Sequence, residues 1–92
     1  MDIDNHGRLT EQSPLFETIR RNVLVVVPDL DPAAITLDRS LSELGCNSID
    51  RADVVTMTME DLGIQVPVTE FHQVHDLRTL VELLDRYHGG RG

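Results

Sequence analysis

The sequence predicts an all-α protein, a bundle of four helices with a long loop between helices one and two and a very short third helix. Two stretches, residues 15–27 and 77–87, repeat apolar side chains at helical spacing. A third, residues 48–62, lies between a helix start signal and a glycine stop. The only β-rich run, Val25-Val26-Val27, would have no strand to pair with, because no second period-two segment exists.

At 92 residues the chain is sized for one domain. Its hydrophobic fraction of 40% builds a modest core, and with only Phe16, Phe71 and Tyr87 as aromatics that core is aliphatic. So small an interior leaves little space for a deep substrate pocket, which argues against a self-contained active site. The 8 basic residues face 16 acidic ones, for a net charge of −8. Nucleic acid and anionic membrane surfaces would repel such a domain, and a basic protein surface would attract it. The single cysteine cannot form an internal disulfide, which fits a reducing compartment. No signal-peptide pattern occurs, and the longest apolar run, Val23 to Val27, is far too short to span a bilayer. A cytoplasmic monomer is expected.

Residues 1–12 are polar and aperiodic and read as a flexible leader. Ser13-Pro14 supplies an N-cap and a proline at the first helical position. Leu15, Ile19, Val23 and Val26 form the stripe of helix one, widened by Phe16 and Val27, and Pro28 ends it. Residues 29–44 are a long connection, and Ile35, Leu37, Leu41 and Leu44 are expected to pin it across the bundle, with a helical turn near residues 40–44. Helix two runs from Ser48 to Leu62 and stops at Gly63. After the extended Ile64-Gln65-Val66-Pro67, Thr69 opens one or two turns through Val74. Asp76 caps the last helix, whose stripe is Leu77, Leu80, Val81, Leu84 and Tyr87. Gly89-Gly90 ends it, so the domain spans residues 13–88 and residues 89–92 are a flexible tail.

The chemistry is concentrated at the start of helix two. Ser48 reads as its N-cap, with Asp50 and Asp53 following where the helix dipole favours negative charge. Unpaired amides at such a terminus also suit an incoming phosphate. An ordinary capping serine explains Ser48 alone. It leaves unexplained the preceding Gly45, the apolar Ile49 at a helix start, and the acids behind.

The segment Leu44-Gly45-Cys46-Asn47-Ser48-Ile49-Asp50-Arg51-Ala52-Asp53-Val54-Val55 resembles the modification site of acyl carrier proteins, where a serine between an acidic residue and a leucine receives phosphopantetheine. Here the triplet is Asn47-Ser48-Ile49, with an amide in place of the usual aspartate. The extended form, followed by residues 57–62 and Val66-Pro67, resembles the discrete donor carriers of polyketide β-branching cassettes. The resemblance covers residues 15–87 and is most specific over residues 45–67. It implies that Ser48 bears covalent phosphopantetheine and that the protein presents a thioester without a catalytic site of its own. The implied partners are a phosphopantetheinyl transferase, an acyltransferase, a ketosynthase-like decarboxylase and a hydroxymethylglutaryl-synthase-like enzyme, with no nucleic acid and no membrane. In the family, the residue at Ile49 is an outward apolar contact for partners. The aspartate replaced by Asn47 helps a transferase hold its metal or orient the serine. An amide is a weaker ligand that still hydrogen-bonds, so modification is expected to persist with a narrower choice of transferase.

Periodicity alone allows Ala52, Val55, Met59 and Leu62 as the inner face of helix two. The resemblance instead places Val54, Val55 and Leu62 inside, with Ala52, Thr56 and Met59 exposed toward partners. Together with Asn47, Ile49, Asp50, Arg51, Asp53 and Glu60 these make the expected docking surface, its charge −3 when Asp61 is counted with the other acids. A solvated helix face would have the same composition. A generic polyketide or fatty-acid carrier, or an unmodified acidic interaction module, are the competing functions. Other motifs carry less. Cys46 has no local histidine to activate its thiol and reads as a packing residue. His72 and His75 lack further metal ligands, and Asp29, Asp31 and Asp38 lack the glycine and glutamate of a calcium loop.

Overall fold

The computed structural model describes residues 13–88; the leader and tail expected from the sequence lie outside the described residues. Three α-helices form the frame: α1, Pro14–Val26; α2, Ser48–Leu62; and α3, Leu77–His88. Two 3₁₀ segments, Pro32–Ala34 and Val68–Gln73, lie in the connections, and the second is the short third helix of the predicted four. Among the described residues there is no strand. Val26 is helical and Val27 is its C-cap, so the valine run closes α1 instead of pairing in a sheet.

Each α-helix starts at a residue whose side-chain oxygen accepts from an amide of the first turn. The Ser13 side chain accepts from the Phe16 amide at 3.1 Å. At α3 the Asp76 carboxylate accepts from the Thr79 amide at 2.9 Å, while the Thr79 hydroxyl accepts from the Asp76 amide at 3.1 Å. The two remaining amides of that turn, Leu77 and Arg78, donate to the carbonyls of Arg39 and Leu37 at 2.9 and 3.0 Å. The long loop thus completes the start of α3, reinforced by an Arg78–Asp38 ion pair at 3.0 Å. Burial holds the other side of the loop, since Ile35, Leu37, Leu41 and Leu44 are all buried as expected. The turn near residues 40–44 forms too, closed by reciprocal bonds between Ser40 and Glu43. The Pro32–Ala34 turn, capped by Asp31 onto Ala33, is one that the sequence reading lacked.

Phe16, Ile19 and Val23 of α1 meet Val54 of α2 and Leu77, Leu80, Val81, Leu83 and Leu84 of α3 in one aliphatic core. α2 departs from expectation here. Val54 is fully buried, but Val55 and Leu62 are only half-buried, and the second fully buried residue of the helix is Thr58. Its hydroxyl accepts from Asn22 Nδ2 at 2.9 Å and donates to the Val54 carbonyl at 2.7 Å. Asn22 Nδ2 also reaches Asp61 at 3.1 Å. A satisfied polar pair therefore sits in the α1–α2 seam, where an apolar periodicity search passes over it.

α2 ends at Gly63, whose φ of +68° is the left-handed conformation that side chains disfavour. The Gly63 amide donates to Glu60 and the Ile64 amide to Met59 at 3.1 Å, the two bonds of a Schellman motif. Met59, expected to be exposed, is half-buried and packs against the core. The chain reversal at Gly63, which returns Ile64 and Val66 as buried residues, leaves Met59 at a packed edge and not on open surface.

The hydrogen bonds from Thr79, helped by nearby His75 and Arg78, outweigh the upward push of burial and hold the Asp76 carboxyl below its ordinary pKa. A group lowered in the folded state stabilises fully above its unfolded pKa and loses that contribution as pH falls through the folded one. Asp76→Ala should therefore cost about 1 kcal/mol near neutral pH. The difference from wild type should shrink as pH drops below about 4. Urea unfolding of both proteins across that range checks it.

Candidate functional site

The approach to α2 is a tight reversal. Cys46 N–H donates to the Leu41 carbonyl at 3.0 Å, and Gly45 takes a φ of +96°, so a residue with a side chain there would be strained. Cys46 turns inward and is buried, and burial together with Asp50 pushes its thiol pKa up against the opposing pull of Arg51. A thiol so placed is a packing group, as the sequence suggested.

The cap of α2 is Asn47, not Ser48. Asn47 Oδ1 accepts from the Asp50 amide at 2.8 Å, and the Asp50 carboxylate accepts from the Asn47 amide at 3.1 Å. This capping box moves Ser48 to the first helical position. The amide that stands where an aspartate was expected thus has a defined task here, since its oxygen serves as well as a carboxylate at a cap. The correction alters the chemistry of the serine. A capping hydroxyl would be tied to the backbone, whereas the exposed Ser48 hydroxyl has no hydrogen-bond partner among the described residues. The Ser48 and Ile49 amides likewise have no acceptor there. An exposed, unbonded hydroxyl beside two free amides fits a phosphoryl-linked group better than a buried or bonded serine would.

Around it the expected docking residues sort into distinct roles. Ile49 is 71% exposed, an uncommon position for an isoleucine. Arg51, Ala52, Asp53, Thr56 and Glu60 are exposed, with Asp53 lying beyond the first turn. Asp50 is half-buried and occupied by the capping box, and Asn47, though exposed, is its other half. Asp61, counted with the acidic face, is drawn to α1 by Asn22 and by Arg21 at 3.4 Å. The free negative charge of α2 is therefore smaller than its composition suggests.

A half-open cleft of about 570 Å³ lies between α2, the 3₁₀ segment Val68–Gln73 and the start of α3. Arg51, Ala52, Val55, Thr56 and Met59 form one wall, and Val68, Phe71, Val74 and Leu80 stand among the residues opposite. Its volume is within the roughly 300–1,000 Å³ range of small-molecule sites. The small aliphatic interior leaves little space for a deep pocket, and the cleft exists because it is open at the surface, lined by exposed, half-buried and buried residues together, a mixture that one helical stripe does not reveal. Val68 at its edge is 78% exposed. Among the described residues no group of three histidine, cysteine or acidic side chains could hold a metal, and no helix is long and apolar enough to cross a membrane.

A family model described as the phosphopantetheine attachment site matches residues 21–84. Over 74 residues the chain is 35% identical to the polyketide biosynthesis acyl-carrier-protein AcpK of Bacillus subtilis (strain 168), which covers 80% of this chain and 90% of that protein. No solved structure matches. The matched span takes in both walls of the cleft and the free serine at the head of α2, and the chain belongs to the acyl carrier protein family, whose members carry phosphopantetheine covalently.

Proposed function

We propose that Ser48 is the attachment point and that the protein is the acetyl donor carrier of polyketide β-branching. The observation that supports the attachment best is the Ser48 hydroxyl, exposed and unbonded one position inside a firmly capped helix. The bound group supplies a long arm ending in a thiol that holds acyl groups as thioesters. This chain's part is presentation: α2 fixes where the arm starts, and its exposed face gives each partner a surface to dock on. Tethering then raises the local concentration of the acyl group at the docked enzyme. No catalytic site of its own is invoked, and a cytoplasmic monomer suffices.

Polyketide chemistry is supported by the similarity to AcpK, and the donor role by the segment 47–53 and the residues that follow it. On this reading a phosphopantetheinyl transferase modifies Ser48 and an acyltransferase loads malonyl. A ketosynthase-like decarboxylase leaves acetyl, which a hydroxymethylglutaryl-synthase-like enzyme adds to the β-ketone of a chain on a second carrier. A generic polyketide or fatty-acid carrier is the nearer alternative, and an unmodified acidic module the more distant one.

Incubation with coenzyme A and a broad-specificity transferase should add one phosphopantetheine, seen in the intact mass. Peptide mapping should place it on Ser48. Ser48→Ala should abolish the adduct and keep the helical spectrum, and an adduct surviving in that variant would end the assignment.

Docking has two separable components. Asp53→Lys and Glu60→Lys should slow loading or transfer several-fold, with the loss shrinking at high salt as surface charges are screened. Ile49→Ala should weaken partner binding by up to about 2 kcal/mol, because apolar burial is lost, and salt should not restore it. Unchanged rates in all three would mark α2 as a merely solvated face.

Donor identity is tested by competition. Acetyl-loaded wild type, Arg51→Glu and a generic fatty-acid carrier are offered to the hydroxymethylglutaryl-synthase-like enzyme. Wild type should donate best, and Arg51→Glu should lose much of that advantage, since the substitution reverses the charge beside Ser48 where the partner docks. Equal donation by the generic carrier removes the donor role and leaves a broader carrier.

A further inference from the structure

We infer that Arg51 is a positioning residue for the prosthetic group: its guanidinium takes the phosphodiester on Ser48 and turns the arm toward the cleft beside α2. This rests on Ser48 being the attachment point. Arg51 stands three residues after Ser48, so the two share one face of the helix. Helical side chains lean toward the N-terminus, and here Arg51 Nη1 reaches the Cys46 carbonyl at 3.4 Å. The guanidinium therefore lies back alongside the chain that leads into Ser48.

It is also available. Arg51 is the only basic residue of α2 and is exposed. It pairs with no carboxylate among the described residues, whereas Arg20, Arg21 and Arg78 are paired with Glu17, Asp61 and Asp38. Neighbouring Asp50 does not claim it, being engaged with the Asn47 amide. The one contact to Cys46 is long and uses a single N–H of the five that a guanidinium carries. The remaining donors suit a phosphodiester, which accepts two parallel hydrogen bonds in the same way as a carboxylate.

Direction follows from the same position. Arg51 is part of the cleft wall, with Ala52, Val55, Thr56 and Met59 succeeding it along α2. An anion held by Arg51 stands at the cleft's rim, and the arm leaving it starts next to apolar surface. With the phosphodiester held elsewhere, the arm would start farther from that apolar surface and reach it less often. The pair is exposed and open to salt, so the bias is modest, about two- to fivefold in the population of cleft-side conformers. A carboxylate at the end of a loaded acyl group has the same chemistry toward Arg51, so the test uses the holo protein, whose arm ends in a thiol.

Holo wild type, Arg51→Gln and Arg51→Lys are compared by phosphorus NMR and by nuclear Overhauser contacts between the pantetheine methyl groups and the Val55 and Met59 side chains. Peptide mapping of each sample locates the adduct. In Arg51→Gln the phosphorus resonance should move toward that of a phosphopantetheinylated serine peptide, and the contacts should fall about two- to fivefold. Arg51→Lys should retain part of both, and added salt should shift wild type but not Arg51→Gln. An adduct on Ser48 with the same resonance and contacts in wild type and Arg51→Gln overturns the role of Arg51 alone. An adduct mapped to any other residue overturns that role and the attachment assignment together.

Discussion

The docking of the long connection onto α3 is the constraint from which the rest of the site follows. Residues 27–47 have little regular structure, yet they must hold α2 and its serine in one place relative to the bundle. Buried apolar side chains alone would let such a segment slide. Two backbone bonds, from Leu77 and Arg78 to the Arg39 and Leu37 carbonyls, set its register instead. They also satisfy amides that would otherwise be left bare at a helix start. Once residues 37–39 are fixed, the turn over residues 40–44 and the reversal at Gly45 determine where α2 begins.

That anchoring permits an economy at the head of α2. Asn47 and Asp50 satisfy each other, so the helix starts firmly without the serine. A hydroxyl that took part in the cap could not be derivatised without weakening the fold. Shifting the cap one residue back separates stability from side-chain chemistry: nothing in the cap depends on the Ser48 hydroxyl. The seam beneath is held by Asn22, Thr58 and Asp61, whose bonds tie α2 to α1.

Much of this architecture was legible in the sequence because its causes are local. The stripes of α1 and α3, the Ser13, Asp76 and Gly63 boundaries, and the four apolar pins of the loop each follow from spacing or from backbone preference. The errors share a different cause. Asn47 and Ser48 are both good capping residues, and choosing between them depends on which of two amides each oxygen meets, which the order of residues does not reveal. Thr58 is buried only because Asn22, 36 positions earlier, supplies its hydrogen bond. Met59 loses its exposure to the chain reversal at Gly63, where the Ile64 amide returns to the Met59 carbonyl. The cleft was invisible for the same reason, being lined by residues of mixed burial that the fold brings together from the long loop, α2, the Val68–Gln73 segment and α3.

α2 is best understood as a helix with three jobs distributed around its circumference. Val54, Thr58 and Asp61, at i, i+4 and i+7, form one face toward the core and α1, Val55 and Met59 line the cleft, and Ile49, Asp53 and Glu60 face outward. With a threonine and an aspartate inside its inward face and apolar residues on the cleft side, such a helix cannot show one clean apolar stripe, and its ambiguous periodicity is a physical consequence of that division. The inward face of α3 serves the core, and its five buried residues, Leu77, Leu80, Val81, Leu83 and Leu84, make the plainest stripe in the chain. The contrast explains why α2, which carries Ser48 and one wall of the cleft, was the hardest element to orient from sequence. Its faces answer to different constraints, and only the structure shows which residue answers to which.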